Sequence, residues 1–302
     1  MPKFACYYCP ESRKRLDLVD RLSILRVKEF SYPIINQIPR FVDSKNYSRD
    51  FGLQWNKFAK TQLDSSTGEP ISEDRLGRCL LGHLDLIEGK RILEAGSGAG
   101  RFTEVLLKYS AIVNSFDLSN AVEANMNNNG KKDNIEIAQA DICNMPYLEQ
   151  SYDYVICLGV LQHTPSPEKS ITHLWEMVKP GGHLIFDHYL FKWRNILPPP
   201  FGIAAPLYRK FILYLHPSNR MGCVRQIVNF WYPIHWKFRR SRFIQRILRR
   251  ISPVHFYYGQ SSISSKNLLF ELAFLDTHDS LTDFYKHYRT KDQIESIIRS
   301  LG

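Results

Sequence analysis

Between residues 91 and 186, short apolar runs alternate with longer amphipathic stretches. The apolar runs have the length of buried strands and predict strands over 92–95, 112–116, 135–139, 154–158 and 183–186. The stretches between them space apolar residues as helices do and predict helices over 102–109, 121–127 and 168–178, the last closed by Lys179-Pro-Gly-Gly. This alternation predicts a doubly wound α/β fold, with a mostly parallel sheet in the order 3-2-1-4-5 and helices on both faces.

The rest of the chain predicts three further domains around this core. Residues 1–70 form an irregular arm, and the core domain, 71–189, opens with a helix that the Ser72 hydroxyl caps. Residues 190–260 interrupt the alternation with prolines, aromatic residues and basic residues, which predicts an inserted helical cap. Residues 261–302 return the chain and end in a helix over 290–301. The apolar stripe of the opening helix is Leu76, Leu80, Leu84 and Ile87.

Positive charge is concentrated in the predicted cap. The whole chain has a formal net charge of +10, and residues 186–258 contain thirteen Lys/Arg but one acid, Asp187. This asymmetry favours an acidic partner: an anionic small molecule first, then a membrane surface, then nucleic acid, with a merely solvated basic face as the open alternative. The membrane candidate rests on the mixed basic and apolar run that contains Phe238, Arg242, Ile244 and Ile247.

The sequence also indicates a cellular compartment. No apolar stretch reaches the roughly 18–20 residues that span a bilayer, and the first residues lack the apolar core of a secretory signal. The six cysteines are too scattered to suggest a disulfide framework. We therefore expect a cytoplasmic protein, with peripheral membrane contact through the basic cap and an oligomeric state that the sequence leaves open.

A glycine-rich turn follows the first predicted strand, in Glu94-Ala-Gly96-Ser-Gly98-Ala-Gly100. A dinucleotide fingerprint requires a third glycine at position 101, where this chain has Arg101, and the Gly-Lys-Ser/Thr of a P-loop is absent. The Glu94 carboxylate at the strand end suits a ligand with positive charge better than a pyrophosphate. S-adenosylmethionine (SAM), which carries an ammonium and a sulfonium, is such a ligand.

Two further acids end the next predicted strands. Asp117 closes the second strand, where a carboxylate can accept hydrogen bonds from both ribose hydroxyls, and Asp141 closes the third, near the expected position of the adenine amine. Either residue alone could be an ordinary loop-capping aspartate. Because parallel strands end at the same edge of a sheet, the two acids together favour a shared nucleoside site.

The motifs ILEAGSGAGRF, SFDLS, AQADICNMPY, YDYVICLGVLQHTP and HLWEMVKPGGHL, over roughly 90–190, resemble the class I SAM-dependent methyltransferases in order and spacing. The resemblance implies a Rossmann-like fold, SAM as cofactor and methyl transfer to a small-molecule acceptor, such as an anionic or a lipid- or nucleotide-linked intermediate. A non-catalytic scaffold of the same fold is the alternative, and Arg101 argues against an NAD-dependent oxidoreductase. The cofactor contacts implied are Glu94, Gly96, Gly98, Gly100, Asp117, Leu118, Asp141, Ile142 and Leu158.

The flanking segments extend this resemblance. Phe51-Gly-Leu-Gln-Trp55 and Thr61-Gln-Leu-Asp64 are similar to the lead-in of bacterial methyltransferases of polysaccharide and secondary-metabolite pathways. There the segment folds over the cofactor, so a lid of Tyr47, Phe51, Gln54 and Trp55 is implied, although a simple packing arm explains these residues equally well.

Cys6 and Cys9 resemble half of a zinc ribbon that precedes some methyltransferases. A structural zinc needs four ligands, and neither Cys nor His stands where the second pair belongs, so we expect a degenerate ribbon without metal. Two cysteines are also too few for an iron–sulfur cluster. Cys79 and His83 share one helix face, and we expect Cys79 to pack rather than to bind a metal.

His163, just beyond the fourth strand, is the candidate general base for a hydroxyl or amine acceptor, since a neutral imidazole suits that role. Hydrogen bonding to a loop carbonyl is the alternative role, and His183 and His188 are weaker candidates. We expect the acceptor to enter between the sheet and the cap. The fold implied by the resemblance normally ends in an antiparallel hairpin beside strand five. Because the chain stops at Gly302, we expect either that the hairpin is missing, which would weaken SAM binding, or that residues 261–283 replace it.

Overall fold

The computed structural model describes residues 6–19, 23–43, 46–257 and 265–302, and the side chains of residues 49–51 lie outside that description. The chain divides into two compact units. We call the first, Met1–Ser66 with Pro70–Tyr189 and Tyr285–Gly302, the core unit. The second, Thr67–Glu69 with Leu190–Phe284, is called the helical unit.

The core unit begins with a small antiparallel sheet in the order β1-β2-β3-β4. It packs on the rest of the unit through aromatic side chains, because Tyr7 lies 5.4 Å from Phe41 and 5.7 Å from Tyr147 between ring centroids. The strands are β1 Asp17–Val19, β2 Ile24–Val27, β3 Phe30–Ile35 and β4 Ile38–Pro39.

A five-stranded parallel sheet forms the centre of the core unit. Its order, β7-β6-β5-β8-β9, confirms the predicted 3-2-1-4-5 arrangement and the Rossmann-like fold class. The β7 edge is paired rather than open, since the Phe41 amide donates to the Gln139 carbonyl at 2.9 Å. The strands are β5 Arg91–Ala95, β6 Ile112–Asp117, β7 Ile135–Gln139, β8 Tyr152–Cys157 and β9 Val178–Phe186.

Eleven helices are present in the described part of the chain, and α7 to α10 belong to the helical unit. The helices predicted over 102–109, 121–127, 168–178 and 290–301 correspond to α4, α5, α6 and α11. The bounds are α1 Arg49–Lys57, α2 Asp64–Thr67, α3 Ile71–Cys79, α4 Arg101–Lys108, α5 Val122–Asn129, α6 Pro167–Glu176, α7 Ala205–Tyr214, α8 Pro217–Lys237, α9 Arg242–Ile251, α10 Lys266–Thr282 and α11 Lys291–Ser300.

Two segments of the chain differ from their local predictions. Lys179-Pro-Gly-Gly does not close a helix but lies within β9 as an irregular stretch between the pairs Tyr152–Val178 and Tyr154–His183. Gly182 permits this close pairing, because a Cβ there would come within 2.8 Å of the Asp153 carbonyl oxygen.

The N-terminus of α3 is the second correction. The Ser72 hydroxyl does not cap this helix, since it donates to the Gln62 carbonyl at 3.1 Å. The Asp64 carboxylate accepts the amides of Ser72 and Glu73 instead, at 2.9 and 2.8 Å. The helix also ends at Cys79, and Leu84–Ile87 form a separate 3-10 turn, so the predicted stripe is interrupted.

No strand is present among the described residues after Phe186, in either unit. The part of 261–283 that lies within the described residues is mostly α10, so it does not form the expected hairpin, and residues 261–264 lie outside the description. Arg209 fixes the end of α10, because its Nε donates to the buried Asp283 carboxylate at 2.7 Å. No helix among the described residues is both long and apolar enough to cross a membrane.

Candidate functional site

The glycine turn connects β5 to α4, and its three glycines all have left-handed backbone angles, with φ of 74° at Gly96, 53° at Gly98 and 88° at Gly100. The space beside each glycine is filled. A Cβ at Gly96 would overlap the Val160 side chain, and one at Gly100 would overlap Asn125. Both backbone angle and packing therefore require glycine here.

A buried polar network lies next to this turn. Glu94 is 2% exposed, and its Oε2 accepts hydrogen bonds from Thr103 Oγ1 at 2.5 Å and from Ser115 Oγ at 2.8 Å. Asn125 Nδ2 in turn donates to both hydroxyl oxygens at 3.1 Å. Burial raises the pKa of Glu94 to about 7, because the charged carboxylate loses its hydration.

The second carboxylate oxygen of Glu94, Oε1, is buried and has no hydrogen-bond partner in the part of the chain that the structure describes. Such an acceptor is costly unless a donor satisfies it. A ligand ammonium would supply both the missing hydrogen bond and a compensating charge. The residues present therefore fit the cationic methionyl portion of SAM.

Asp117 joins the end of β6 to the glycine turn. Its Oδ2 accepts the Gly98 amide at 2.9 Å, and its Oδ1 accepts the Ser119 amide at 2.8 Å and hydroxyl at 2.7 Å. Burial raises the pKa of this carboxyl. The amides of Gly96 and Ser97 also donate to the Phe116 carbonyl, at 2.8 and 3.1 Å, so the turn is held against the end of β6.

Asp141 lies at the same edge of the sheet, just after β7. Its Oδ1 accepts the Cys143 amide at 2.8 Å. Burial is the main cause that raises the pKa of the Tyr47 hydroxyl, and the negative charges of Asp141 and Asp117 raise it further. The Ala140 amide, just before Asp141, donates to the Asp117 carbonyl at 3.1 Å, so the two acids lie at one edge of the sheet. Their sharing of one nucleoside stays a prediction.

The three apolar candidates are less closely grouped. The Leu118 carbonyl accepts the side-chain amides of Asn46 and Gln139 at 3.0 Å. Ile142 and Leu158 are buried in two different apolar clusters of the core unit. Cofactor contact by these nine residues stays a prediction.

One residue of the predicted lid, Trp55, lies against the turn, and the lid itself stays a prediction. Trp55 packs against Gly98, since a Cβ at that glycine would come within 3.3 Å of the indole. Asn56, next in α1, donates to the Asn120 carbonyl at 2.9 Å and so fixes the helix beyond β6. Gln54 is buried, and the side chain of Phe51 lies outside the described residues.

Arg101, which replaces the third glycine of a dinucleotide turn, has a structural contact instead. Its Nη1 donates to Gln62 Oε1 at 2.8 Å and its Nε donates to the Ser72 hydroxyl at 3.1 Å. The guanidinium thus ties the Thr61-Gln-Leu-Asp64 segment to the start of α4.

His163 ends a 3-10 turn that directly follows Val160, the residue packed against Gly96, and is 7% exposed. Its Nδ1 lies 3.3 Å from the Tyr285 carbonyl oxygen, and the Tyr189 ring meets it edge-on at 5.5 Å. Because a carbonyl oxygen only accepts, this contact places the proton on Nδ1 and leaves Nε2 as the basic nitrogen.

Two other histidines, His188 and His287, belong to the same region of the core unit as His163. His183 stacks instead on Tyr154 in the sheet, with ring centroids 5.2 Å apart. The His287 amide donates to the Gln162 carbonyl at 2.9 Å. Burial is the main cause that lowers the pKa of both His188 and His287, so both are neutral near pH 7. Sequence reasoning missed His287 and Tyr285, although the aromatic and basic run FYKHYR was a visible signal.

Cys6 and Cys9 have separate partners. Cys6 Sγ accepts from Asn114 Nδ2 at 3.3 Å, and Cys9 Sγ lies 3.4 Å from the Tyr32 hydroxyl and donates to Glu11 at 3.3 Å. Burial raises the pKa of the Cys6 thiol. Among the described residues no cluster of His, Cys, Asp and Glu has the arrangement of a metal site.

With this geometry in view, comparison with known proteins identifies the central segment. Residues 93–186 match the methyltransferase domain family. This segment is a class I SAM-dependent methyltransferase domain. Its cofactor is S-adenosylmethionine.

Individual relatives match over a similar part of the chain. A ubiquinone biosynthesis O-methyltransferase of Coxiella burnetii is 32% identical over 103 residues, which are 33% of this chain and 44% of the relative. The enzyme of the same name from Alkalilimnicola ehrlichii is 32% identical over 39% of this chain and 47% of its own. The chain thus spans less than half the length of these curated relatives. The solved SAM-dependent methyltransferase of Aquifex aeolicus is 24% identical over 41% of this chain and 69% of its own, with a TM-score of 0.34.

Proposed function

We propose that the chain transfers the methyl group of SAM to a hydroxyl oxygen of a small-molecule acceptor. The observation that carries the proposal is the joining of the glycine turn to Asp117 beside the buried, unsatisfied Glu94 oxygen, within a methyltransferase domain. The two ubiquinone biosynthesis enzymes to which the chain is similar are O-methyltransferases, which supports oxygen as the atom methylated.

Each part of the site has a distinct role in this proposal. Bound SAM supplies an electrophilic methyl group. Glu94 would accept a hydrogen bond from the ammonium of SAM, and Asp117 would accept hydrogen bonds from its ribose hydroxyls. Trp55 covers the glycine turn and excludes water, which favours an in-line displacement between aligned groups.

His163 is the proposed general base. Nε2 would accept the proton of the acceptor hydroxyl, while the Tyr285 carbonyl holds Nδ1–H and fixes the ring. The Tyr189 ring beside it contributes an apolar wall that suits an aromatic or otherwise planar acceptor.

The acceptor is proposed to be an anionic or a lipid- or nucleotide-linked biosynthetic intermediate. The support is charge: residues 190–257 contain thirteen Lys/Arg and no Asp or Glu. Such an excess attracts acidic groups and repels cationic ones.

Isothermal titration calorimetry of the full chain tests the cofactor part of the proposal. We expect SAM and its demethylated product to bind with one-to-one stoichiometry. If neither binds at millimolar concentration, the chain is a non-catalytic scaffold of the methyltransferase fold.

Transfer of labelled methyl from SAM into fractionated cell extract tests the acceptor class. Label in the small-molecule or lipid fraction supports the proposal. Label confined to protein or nucleic acid would contradict it.

A further inference from the structure

The helix α9 of the helical unit, RFIQRILRRI, exposes a row of apolar side chains. Phe243, Ile247 and Ile251 are 68%, 47% and 45% exposed, whereas Gln245 and Leu248 are buried. The exposed residues recur every four positions, so they form one stripe along the helix. Exposed apolar side chains in a continuous row mark a surface that is covered in use.

A second row of basic residues lies beside this stripe. Arg242, Arg246 and Arg250 are also exposed and share the same four-residue spacing, one position earlier along the chain. At 100° per residue, the two rows share the exposed half of the helix. The outer surface of α9 is therefore apolar along one side and cationic along the other.

A buried polar network fixes which side of α9 faces outward. His235 Nδ1 and Nε2 bond Gln245 Oε1 and Ser252 Oγ at 2.8 and 2.9 Å, and Gln245 Nε2 donates to the His235 carbonyl at 2.8 Å. These three residues are nearly inaccessible to solvent. Rolling α9 to bury its apolar row would break all three hydrogen bonds, so the exposure of that row is a fixed feature of the unit.

The helix α7 of the same unit has an exposed apolar row of its own. Leu207, Phe211 and Tyr214 lie on one side of α7 and are exposed. The Ala204 amide, at the start of α7, donates to the Arg250 carbonyl near the end of α9 at 2.8 Å. The helices α7 and α9 thus each present an exposed apolar row within one compact unit.

Charge complementarity selects the occupant of this surface. Residues 190–257 have thirteen Lys/Arg and no acid, so a second copy of the surface would repel the first. Nucleic acid would match the charge but would leave the isoleucines of the α9 row in water. An anionic bilayer satisfies both features, because lipid phosphates attract the arginines while the interface takes up the apolar row.

We propose that α9, together with α7, binds the surface of anionic lipid bilayers. α9 lies in the plane of the interface with Phe243, Ile247 and Ile251 inserted below the headgroups and its arginines among the phosphates. This inference concerns the helical unit alone and holds whether or not the proposed methyl transfer is correct.

Flotation of the full chain with vesicles tests the proposal. We expect binding to phosphatidylcholine vesicles that contain about 30 mol % phosphatidylglycerol and little binding to pure phosphatidylcholine. Raising sodium chloride from about 0.1 to about 0.5 M should weaken binding, because salt screens the arginine–phosphate attraction. Equal binding to neutral and anionic vesicles, or none to either, would overturn the proposal.

Two triple variants separate charge from insertion. The charge variant combines Arg242→Gln, Arg246→Gln and Arg250→Gln. It should lower the vesicle partition coefficient on the order of a hundredfold, since each basic residue near an anionic surface contributes roughly a factor of five. The insertion variant combines Phe243→Ser, Ile247→Ser and Ile251→Ser. Because it lacks the apolar row, it should lose the vesicle binding that persists at high salt. The altered side chains are exposed, and circular dichroism checks that each variant folds.

A matched control removes the same number of exposed arginines from the core unit, at Arg15, Arg26 and Arg78. It should bind vesicles nearly as the parent chain does, and an equal loss would show that net charge alone is responsible.

Two further measurements test the competing occupants of this surface. Binding of single-stranded and duplex oligonucleotides tests nucleic acid, and sedimentation equilibrium tests a second copy of the chain. Tight oligonucleotide binding without vesicle binding, or a dimer that the serine variant dissociates, would each replace the bilayer as the occupant.

Discussion

The Gly98 amide donates to the Asp117 carboxylate at 2.9 Å, which joins a turn after one strand to the end of its neighbour. The two residues are nineteen positions apart, and the hydrogen bond holds the glycine turn against the end of β6. Ser119 holds the other carboxylate oxygen, so the acid cannot turn away from the turn. This preorganisation is what a carboxylate needs to receive two ribose hydroxyls without further ordering cost.

Replacing Asp117 with alanine should weaken SAM affinity by at least tenfold, because the variant loses both the hydroxyl acceptor and the fixed turn. Titration calorimetry measures the effect. Asp133→Ala, which removes an exposed acid from a loop of the same unit, is the matched control and should leave affinity unchanged. An Asp117→Ala protein that folds and binds SAM like the parent chain would refute the cofactor placement.

Gly96→Ala should destabilise the fold by more than the cost of its backbone angle. The left-handed φ of 74° costs an alanine about 1–2 kcal/mol, and the new methyl group also overlaps Val160. Gly89→Ala is the control, since φ is 66° there but nothing lies within 4 Å of the new Cβ. Urea unfolding should show a larger loss for Gly96→Ala, and Val160→Ala should recover part of it; equal losses at both glycines would contradict the packing argument.

Glu94→Gln should become relatively more stable as the pH rises. The carboxyl has a folded pKa of about 7 against an ordinary value of 4.5, so its stabilising contribution is complete below pH 4.5 and is lost as pH rises through 7. The variant has no carboxyl group at this position, so its free energy of unfolding does not fall in this way. Relative to that of the parent chain, it should rise by about 2 kcal/mol between pH 5.5 and 8. Urea unfolding at both values measures the difference, and a gap that is constant with pH would contradict the raised pKa.

The same residue should make cofactor binding pH-dependent. If SAM requires an ionised Glu94, affinity of the parent chain should fall about tenfold from pH 8 to pH 6. Glu94→Gln should bind more weakly at pH 8 and show little dependence on pH. A parent affinity that does not vary over this range would separate Glu94 from the cofactor.

His163→Gln should abolish turnover while leaving SAM binding intact. Glutamine can donate to the Tyr285 carbonyl as Nδ1–H does, but it has no basic nitrogen to accept the hydroxyl proton. Calorimetry and labelled-methyl transfer are measured on the same protein. His183→Gln is the control, because His183 stacks on Tyr154 apart from the other histidines. Full activity in His163→Gln would remove this residue from the mechanism.

Several features followed from local pattern alone. The five strands, the helices between them and the glycine turn could be predicted, because the spacing of apolar residues that is typical of strands and helices is visible over a few neighbouring positions. The position of Asp117 and Asp141 at one edge of the sheet also followed, since parallel strands of a doubly wound sheet end at one edge. The residue that caps α3 could not be predicted, because Ser72 and Asp64 are both of types that cap helices. Tertiary packing determines that Asp64 accepts the helix amides.

What the sequence by itself determined about this protein was therefore the sheet, its order and the acids at its carboxyl edge. Only the tertiary structure decided that Val160, Asn125 and Trp55 fill the space beside the glycines, and that Tyr285 returns to His163 after 122 positions. It also decided which side of α9 faces outward, through His235 and Gln245. The physical reason is that strand and helix preferences act between near neighbours, whereas these contacts depend on how distant segments share one packed interior.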